Sequence, residues 1–348
     1  MNVPSVEDRQ LRFGFRDTER RYAEVSLDCD DAIPGRRRFR RTSTGWALGM
    51  RAPDVGRLEY RLMLTARDGS VEVVCDPANP ERVRTAFGER SVAVLPGYAP
   101  PAWLHRDASP GEAEYLEHHD TEIGALPITV WSPAGLAGRD AAPLLVVHDG
   151  PEYAELAALT SYAAAMIDDR TLPSFRMALM HPVKRDEWYA ANPDYIRAEL
   201  AALETVGATF PMSGPVVAMG ASLGGLTALL LGRAAPARIG GLLAQSGSFF
   251  RADLDSQEEG YPSFARVVDA VRRIEAAEPT GGRLKVAMTC GVLEENYANN
   301  LEMFAALLRL GHEVRFFDVR DLHNYTAWRD SLDPALTDLL RSVWGTQG

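Results

Sequence analysis

The 348-residue sequence predicts an α/β chain: a doubly wound, mostly parallel sheet with helices, preceded by a smaller β-sandwich. Three observations lead there. Gly220-Ala221-Ser222-Leu223-Gly224 joins the apolar run at 215–219 to the helix-forming run at 226–231, as a buried strand reversing sharply into a helix would. Short β-like runs at 143–147, 176–180, 283–290 and 313–319 supply neighbouring strands around it. The first hundred residues have a different grain, with Leu58, Tyr60, Leu62 and Leu64 on one parity and Glu59, Arg61 and Thr65 on the other, the signature of a half-buried strand.

In chain order, Phe13-Gly14-Phe15 and the runs at 23–27, 45–48, 58–64 and 70–74 read as short strands separated by Pro- and Gly-bearing turns, which gives a sandwich over 1–100. Pro and Gly cluster next, so 101–113 is read as a linker and 114–348 as the α/β domain. The glycines flanking Ser222 remove the Cβ atoms that would clash in so tight a turn. The serine hydroxyl is thereby presented at a helix N-terminus, where unbonded N–H groups favour developing negative charge.

A serine needs a base to take its proton and an acid to orient that base. In folds built on such an elbow these partners follow the serine, acid first. The strand at 283–290 breaks at Gly291 and places Glu294 and Glu295 just beyond its end; Glu294 is preferred, with Asp318 and Asp321 as weaker alternatives because they lie so near the base in sequence. His323 follows the half-buried strand at 313–319 and is the base candidate. His148 and His181 precede Ser222, and His105, His118, His119 and His312 read as solvated. The oxyanion donors expected are the amide of Leu223 and one from the turn His148-Asp149-Gly150-Pro151-Glu152-Tyr153. Pro151 has no N–H, so Gly150, Glu152 and Tyr153 remain as candidates, with Glu152 taken for the site.

Five ordered motifs then carry a resemblance: Val146-Val147-His148-Asp149-Gly150, Gly220-Ala221-Ser222-Leu223-Gly224-Gly225, Gln245-Ser246-Gly247-Ser248-Phe249, Cys290-Gly291-Val292-Leu293-Glu294-Glu295-Asn296 and His323-Asn324-Tyr325-Thr326-Ala327-Trp328-Arg329. Together, over residues 115–344, they resemble the esterase branch of α/β-hydrolases, and within it the enterochelin (enterobactin) esterase group. The resemblance implies Ser222 as nucleophile, Glu294 as acid, His323 as base, an N-terminal sandwich of the kind that group carries, and a catecholate trilactone siderophore as substrate. Relatives in the wider branch use the amide directly after Asp-Gly as an oxyanion donor, and Pro151 stands in that place here. Feruloyl esterases, S-formylglutathione hydrolases and mycolyltransferases share such a site, so another ester or an acyl transfer is the alternative. A non-catalytic siderophore- or glycan-binding protein is a further one.

Composition fits a small-molecule enzyme. A net charge of −11 argues against a nucleic-acid partner. No apolar run approaches the ~20 residues of a membrane span, and the start at Met1-Asn2-Val3-Pro4 lacks the apolar core of a secretory signal. Three scattered cysteines, Cys29, Cys75 and Cys290, form neither a disulfide framework nor a metal cluster, so a cytoplasmic chain without metal or cofactor is expected. Arg36-Arg37-Arg38-Phe39-Arg40-Arg41 is the strong basic run; it reads first as a solvated face and second as an attractor for an anionic ferric siderophore. Lys184, Arg185 and Arg251 are candidate substrate cations, and Tyr153, Trp188, Phe249 and Tyr261 candidate aromatic walls. The polar insertion at 253–262 is a candidate lid.

Overall fold

The computed structural model describes residues 3–7, 9–279 and 282–345. The chain divides into two compact units. The first runs to Pro100 and takes in the short segment Arg320–Asn324; the second runs from Pro101 to Val319 and resumes at Tyr325. By sequence alone 320–324 falls within the α/β domain expected over 114–348, whereas its contacts group it with the first unit.

In the first unit, β1 (Ser5–Glu7), β2 (Gln10–Arg16), β4 (Arg40–Arg41) and β5 (Gly45–Arg51) form one antiparallel sheet in the order β1-β2-β5-β4. The second sheet is built from β3 (Tyr22–Cys29), β6 (Arg57–Ala66), β7 (Val71–Val74), β8 (Arg82–Thr85) and β9 (Gly88–Val94), in the order β3-β6-β9-β8 with β7 also on β6. Alternation decides the inward faces: Leu11 and Phe13 on β2, Leu48 and Met50 on β5, and Leu58, Tyr60, Leu62 and Leu64 on β6 are all buried. Phe13 meets Tyr60 edge-on across the sheets at 5.0 Å. The basic run is largely engaged at home. Arg37 donates to the carbonyls of Cys29, Asp30 and Ile33, Arg38 pairs with Glu24, and Arg41 pairs with Asp17 and lies over Trp46.

The segment Arg320–Asn324 is tied to this unit at several points. Gly56 N–H donates to the Arg320 carbonyl at 2.6 Å, and the Arg320 guanidinium reaches Asp54. Arg57, whose side chain is 4% exposed, donates through Nε to Asp321 at 3.0 Å and also pairs with Glu59. Burial opposes its charge, but Asp321 and Glu59 outweigh that and hold the guanidinium protonated.

The second unit is a mostly parallel sheet wound with helices on both faces. Its strands are β10 (Glu112–Asp120), β11 (Gly124–Ser132), β12 (Leu144–Val147), β13 (Arg176–Met180), β14 (Val216–Ala221), β15 (Ile239–Gln245), β16 (Lys285–Gly291) and β17 (Glu313–Val319). The order is β10-β11-β13-β12-β14-β15-β16-β17, with β10 and β11 antiparallel and the rest parallel. Period-two patterning sends Val146, Ala178, Ala218 and Leu242 to one face, against α4 (Pro193–Thr209), α5 (Leu223–Ala234), α6 (Phe264–Glu275) and α7 (Tyr297–Arg309). Leu145, Met177, Val217 and Leu243 go to the other, against α2 (Leu159–Asp168) and α9 (Leu332–Trp344). The short helices α1 (Gly150–Leu156), α3 (Arg185–Trp188) and α8 (Tyr325–Asp330) follow β12, β13 and the 320–324 segment. This is the doubly wound sheet the sequence predicts. No helix among the described residues is long and apolar enough to cross a membrane.

The cysteines form no disulfide. Burial pushes the Cys29 thiol up to about 11 and the Cys290 thiol further still, which keeps both as thiols rather than thiolates. In the native protein at pH 8 a thiol reagent should therefore modify Cys75 first, with Cys29 and Cys290 reacting only on unfolding. Comparable labelling of all three cysteines, read by peptide mass spectrometry, would contradict this.

Candidate active site

Ser222 stands alone between β14 and α5 with φ 56° and ψ −125°, a conformation a side-chain-bearing residue adopts only under constraint. The glycines around it are explained by close approach. A Cβ on Gly220 would fall 2.5 Å from the Gly224 carbonyl carbon, and one on Gly224 would fall 3.1 Å from the His148 Cβ. The strain is held by neighbours: Ser222 N–H donates to Gln245 O at 2.9 Å, and its carbonyl accepts from Ser248 N–H at 3.0 Å. The half-buried Ser222 hydroxyl lies 3.1 Å from the Ser248 hydroxyl. The first helical bonds of α5 are those of Gly225 and Leu226 to the Ser222 carbonyl, so the Leu223 and Gly224 amides precede any intrahelical acceptor.

Three adjacent strands, β12, β14 and β15, are each followed within two residues by a non-glycine residue at positive φ: Asp149, Ser222 and Ser246. Ser246 organises the ground beside the elbow. Its hydroxyl donates to Glu294 Oε1 at 2.8 Å and accepts from Trp328 Nε1 at 3.0 Å. Gly291 N–H donates to the same carboxylate oxygen at 2.7 Å, so the buried Glu294 is fixed from two sides. Glu295 is exposed, Asp318 accepts from the Tyr297 hydroxyl, and Asp321 is engaged by Arg57. Below, Gln245 accepts from the Tyr153 hydroxyl at 2.8 Å and donates to the Trp328 carbonyl and Ser331, while Asn300 bonds both amide and carbonyl of Gly247.

The turn after β12 is held as firmly. Asp149 takes a left-handed conformation, its N–H donates to the Tyr189 hydroxyl, and its carboxylate receives a two-pronged bond from Arg185, both prongs at 2.8 Å. Gly150 must lack a side chain, since a Cβ would fall 2.4 Å from the Leu179 backbone. Glu152, whose amide is named above as an oxyanion donor, sits in the first turn of α1, and burial pushes its carboxyl up. Beneath the turn, His148 and Glu199 are wholly buried with Nε2 and Oε1 2.9 Å apart. His148 Nδ1 lies 2.9 Å from the Met219 carbonyl, which can only accept, so Nδ1 carries a hydrogen. The approach of Nε2 to Glu199 is oblique, an ion contact rather than an aligned hydrogen bond. Burial opposes charge on His148, but Glu199 outweighs it and raises the imidazole above its ordinary value.

The structure thus gathers Ser222, Leu223, Glu294 and the 149–153 turn at the C-terminal ends of the second unit's strands. His323 is exposed in the segment Arg320–Asn324. Tyr153, Trp188 and Phe249 are interior residues at 0%, 1% and 1% exposure, Trp188 stacking on Tyr195. Arg185 is committed to Asp149, and Arg251 to Asp253 and Glu275. The 253–262 segment is anchored by the buried Asp255, which accepts from Arg251 N–H and Asn299, and by the Tyr261 hydroxyl bonded to the Asp186 carbonyl. Sequence reasoning missed Ser246 and Trp328 as supports of Glu294, although both stand inside quoted motifs. It also read His148 only as a misplaced base. Among the described residues no cluster of His, Cys, Asp or Glu is arranged to hold a metal ion.

The family described as "Putative esterase" matches residues 126–339. The chain belongs to that esterase family. An iron(III) enterobactin esterase of Escherichia coli O6:H1 is 25% identical over 303 residues, covering 84% of this chain and 73% of its own. A crystal structure of the enterobactin esterase from Shigella flexneri, in the presence of enterobactin, superposes with a TM-score of 0.78 at 21% identity over 98% of this chain and 96% of that one. The ferric enterobactin esterase of Salmonella typhimurium gives 0.78 at 22% identity over 96% and 93%. Both superpositions show the α/β-hydrolase fold, and family membership makes the chain a hydrolase of ester bonds.

The buried His148–Glu199 pair generates a prediction of its own. His148→Leu would strand a carboxylate in the interior and should destabilise by about 3–5 kcal/mol in urea at pH 7, most of it recovered in His148→Leu/Glu199→Leu. Because the folded imidazole is raised, its stabilisation is complete below about pH 6.5 and is lost as pH rises through the folded value. The wild type should show that alkaline loss and the double variant should not. A single variant within about 1 kcal/mol of wild type would mean the pair holds no buried charge.

Proposed function

We propose that this esterase cleaves the ester backbone of an anionic, catecholate-type siderophore through an acyl-enzyme on Ser222, as a cytoplasmic enzyme whose β-sandwich forms a separate N-terminal domain. The observation that carries the chemistry is the constrained elbow at Ser222, with the Leu223 amide beside it and a buried, doubly anchored Glu294 just beyond the end of β16, the second strand from β14. The names of the relatives support the substrate class.

In this reading His323 takes the Ser222 proton as the hydroxyl oxygen attacks the ester carbonyl. The oxyanion that forms is met by the Leu223 amide and by a second donor from the 150–153 turn. His323 then returns the proton to the departing alkoxide, and the same sequence with water releases the acid. Glu294 orients His323 and stabilises its charged form; the Ser246 and Gly291 bonds to one oxygen fix the carboxylate plane for that task. Arg185 acts on substrate through the Asp149 turn that it clamps.

Ser222→Ala should leave the fold intact and lower kcat by about 10⁶. Glu294→Gln should cost up to about 10⁴-fold while Glu295→Gln stays near wild type. The substrate is tested by mass spectrometry of products from apo and ferric catecholate trilactones, their linear trimers and a feruloyl ester. Release of catecholoyl-serine units supports the reading. Turnover of the feruloyl ester alone would replace the substrate class, and full activity of Ser222→Ala would remove the mechanism.

A further inference from the structure

We propose that Arg57, a residue of the β-sandwich, is the positioning residue for His323. This rests on the reading of His323 as the base. The four residues around that histidine are each held. Arg320 receives the Gly56 N–H on its carbonyl at 2.6 Å and bonds Asp54 through its guanidinium at 2.8 Å. Asp321 accepts from Arg57 Nε at 3.0 Å on one oxygen, and on the other from Leu322 N–H at 2.8 Å and Asn324 Nδ2 at 3.1 Å. Asn324 accepts in turn from the Arg57 guanidinium at 3.0 Å, and its N–H donates to Leu322 O at 2.8 Å. Leu322 is buried. His323, like Arg320, is exposed, whereas Asp321 and Leu322 are buried and Asn324 is half-buried.

One planar guanidinium therefore grips the residue two before the histidine and the residue directly after it. Few side chains can do that: the fork of Arg57 reaches Asp321, Asn324 and Glu59 at once, whereas a lysine ammonium is a single point. Its burial makes the grip rigid, because Arg57 cannot leave Asp321 and Glu59 without stranding charge in the interior. A histidine with both flanks fixed keeps its ring in a narrow range of positions, and general-base catalysis depends on that range. The sandwich unit accordingly contributes to the chemical step as well as to any choice of substrate.

The test measures the full-length chain carrying Arg57→Met, Arg57→Lys, Asp321→Asn or His323→Ala, each well below its melting temperature and per folded molecule. The readouts are kcat and KM on a small neutral ester and the rate of fluorophosphonate labelling of Ser222. Arg57→Met should lose about 10- to 100-fold in kcat and in labelling rate with KM changed less than about threefold, and Arg57→Lys should fall between. Should Arg57→Met fail to fold, Asp321→Asn, which keeps the side-chain volume and removes the charge, carries the same expectation. Rates within about twofold of wild type in any folded clamp variant, or a loss confined to KM, would overturn the proposal. An active His323→Ala would instead overturn the base assignment on which it rests, whereas an inactive His323→Ala beside fully active clamp variants would remove the clamp alone.

Discussion

The arrangement depends on one backbone constraint, the reversal of β14 into α5 through Ser222. At φ 56° and ψ −125° the serine cannot relax without breaking bonds to the next strand, since its N–H is held by Gln245 O and its carbonyl by Ser248 N–H. The glycines at 220 and 224 are required because the elbow closes to within contact of itself and of His148. What results is a hydroxyl at the head of a helix whose first amides are uncommitted within that helix. The strain is of the order of 1–3 kcal/mol and persists because the surrounding sheet over-determines it.

Around that constraint the polar interior is arranged in tiers. Gln245, Ser246 and Gly247 each hand on a bond: Gln245 to Tyr153, Trp328 and Ser331, Ser246 to Glu294 and Trp328, Gly247 to Asn300. Buried polar groups of this kind are costly unless satisfied, so a network that satisfies them admits few alternative packings. On the far side of the elbow the Arg185–Asp149 fork holds the turn after β12, and the buried His148–Glu199 ion contact lies beneath it.

Much of this was legible in the sequence. The elbow announces itself because its cause is local: two glycines and a serine between an apolar run and a helix former. Glu294 was separable from Glu295 only by preference in the sequence; burial and the bonds from Ser246 and Gly291 separate them in the structure. What the sequence does not show are contacts whose partners lie far along the chain. Arg185 reads as a candidate substrate cation because its partner Asp149 is 36 positions away, and the bond from Arg57 to Asp321 spans 264. Tyr153, Trp188 and Phe249 were placed as walls from their proximity to motifs, but an aromatic ring beside a buried strand end has more apolar surface to cover by turning inward.

The central claim is that Ser222 carries the acyl group of the ester during turnover. It is tested most directly by rapid acid quench during hydrolysis of a catecholate ester, followed by peptide mass spectrometry. The account predicts a transient acyl adduct on Ser222 that disappears as product accumulates and is absent from Ser222→Ala. An adduct on another residue, or undiminished hydrolysis with no adduct at any time when acylation is the faster step, would contradict it.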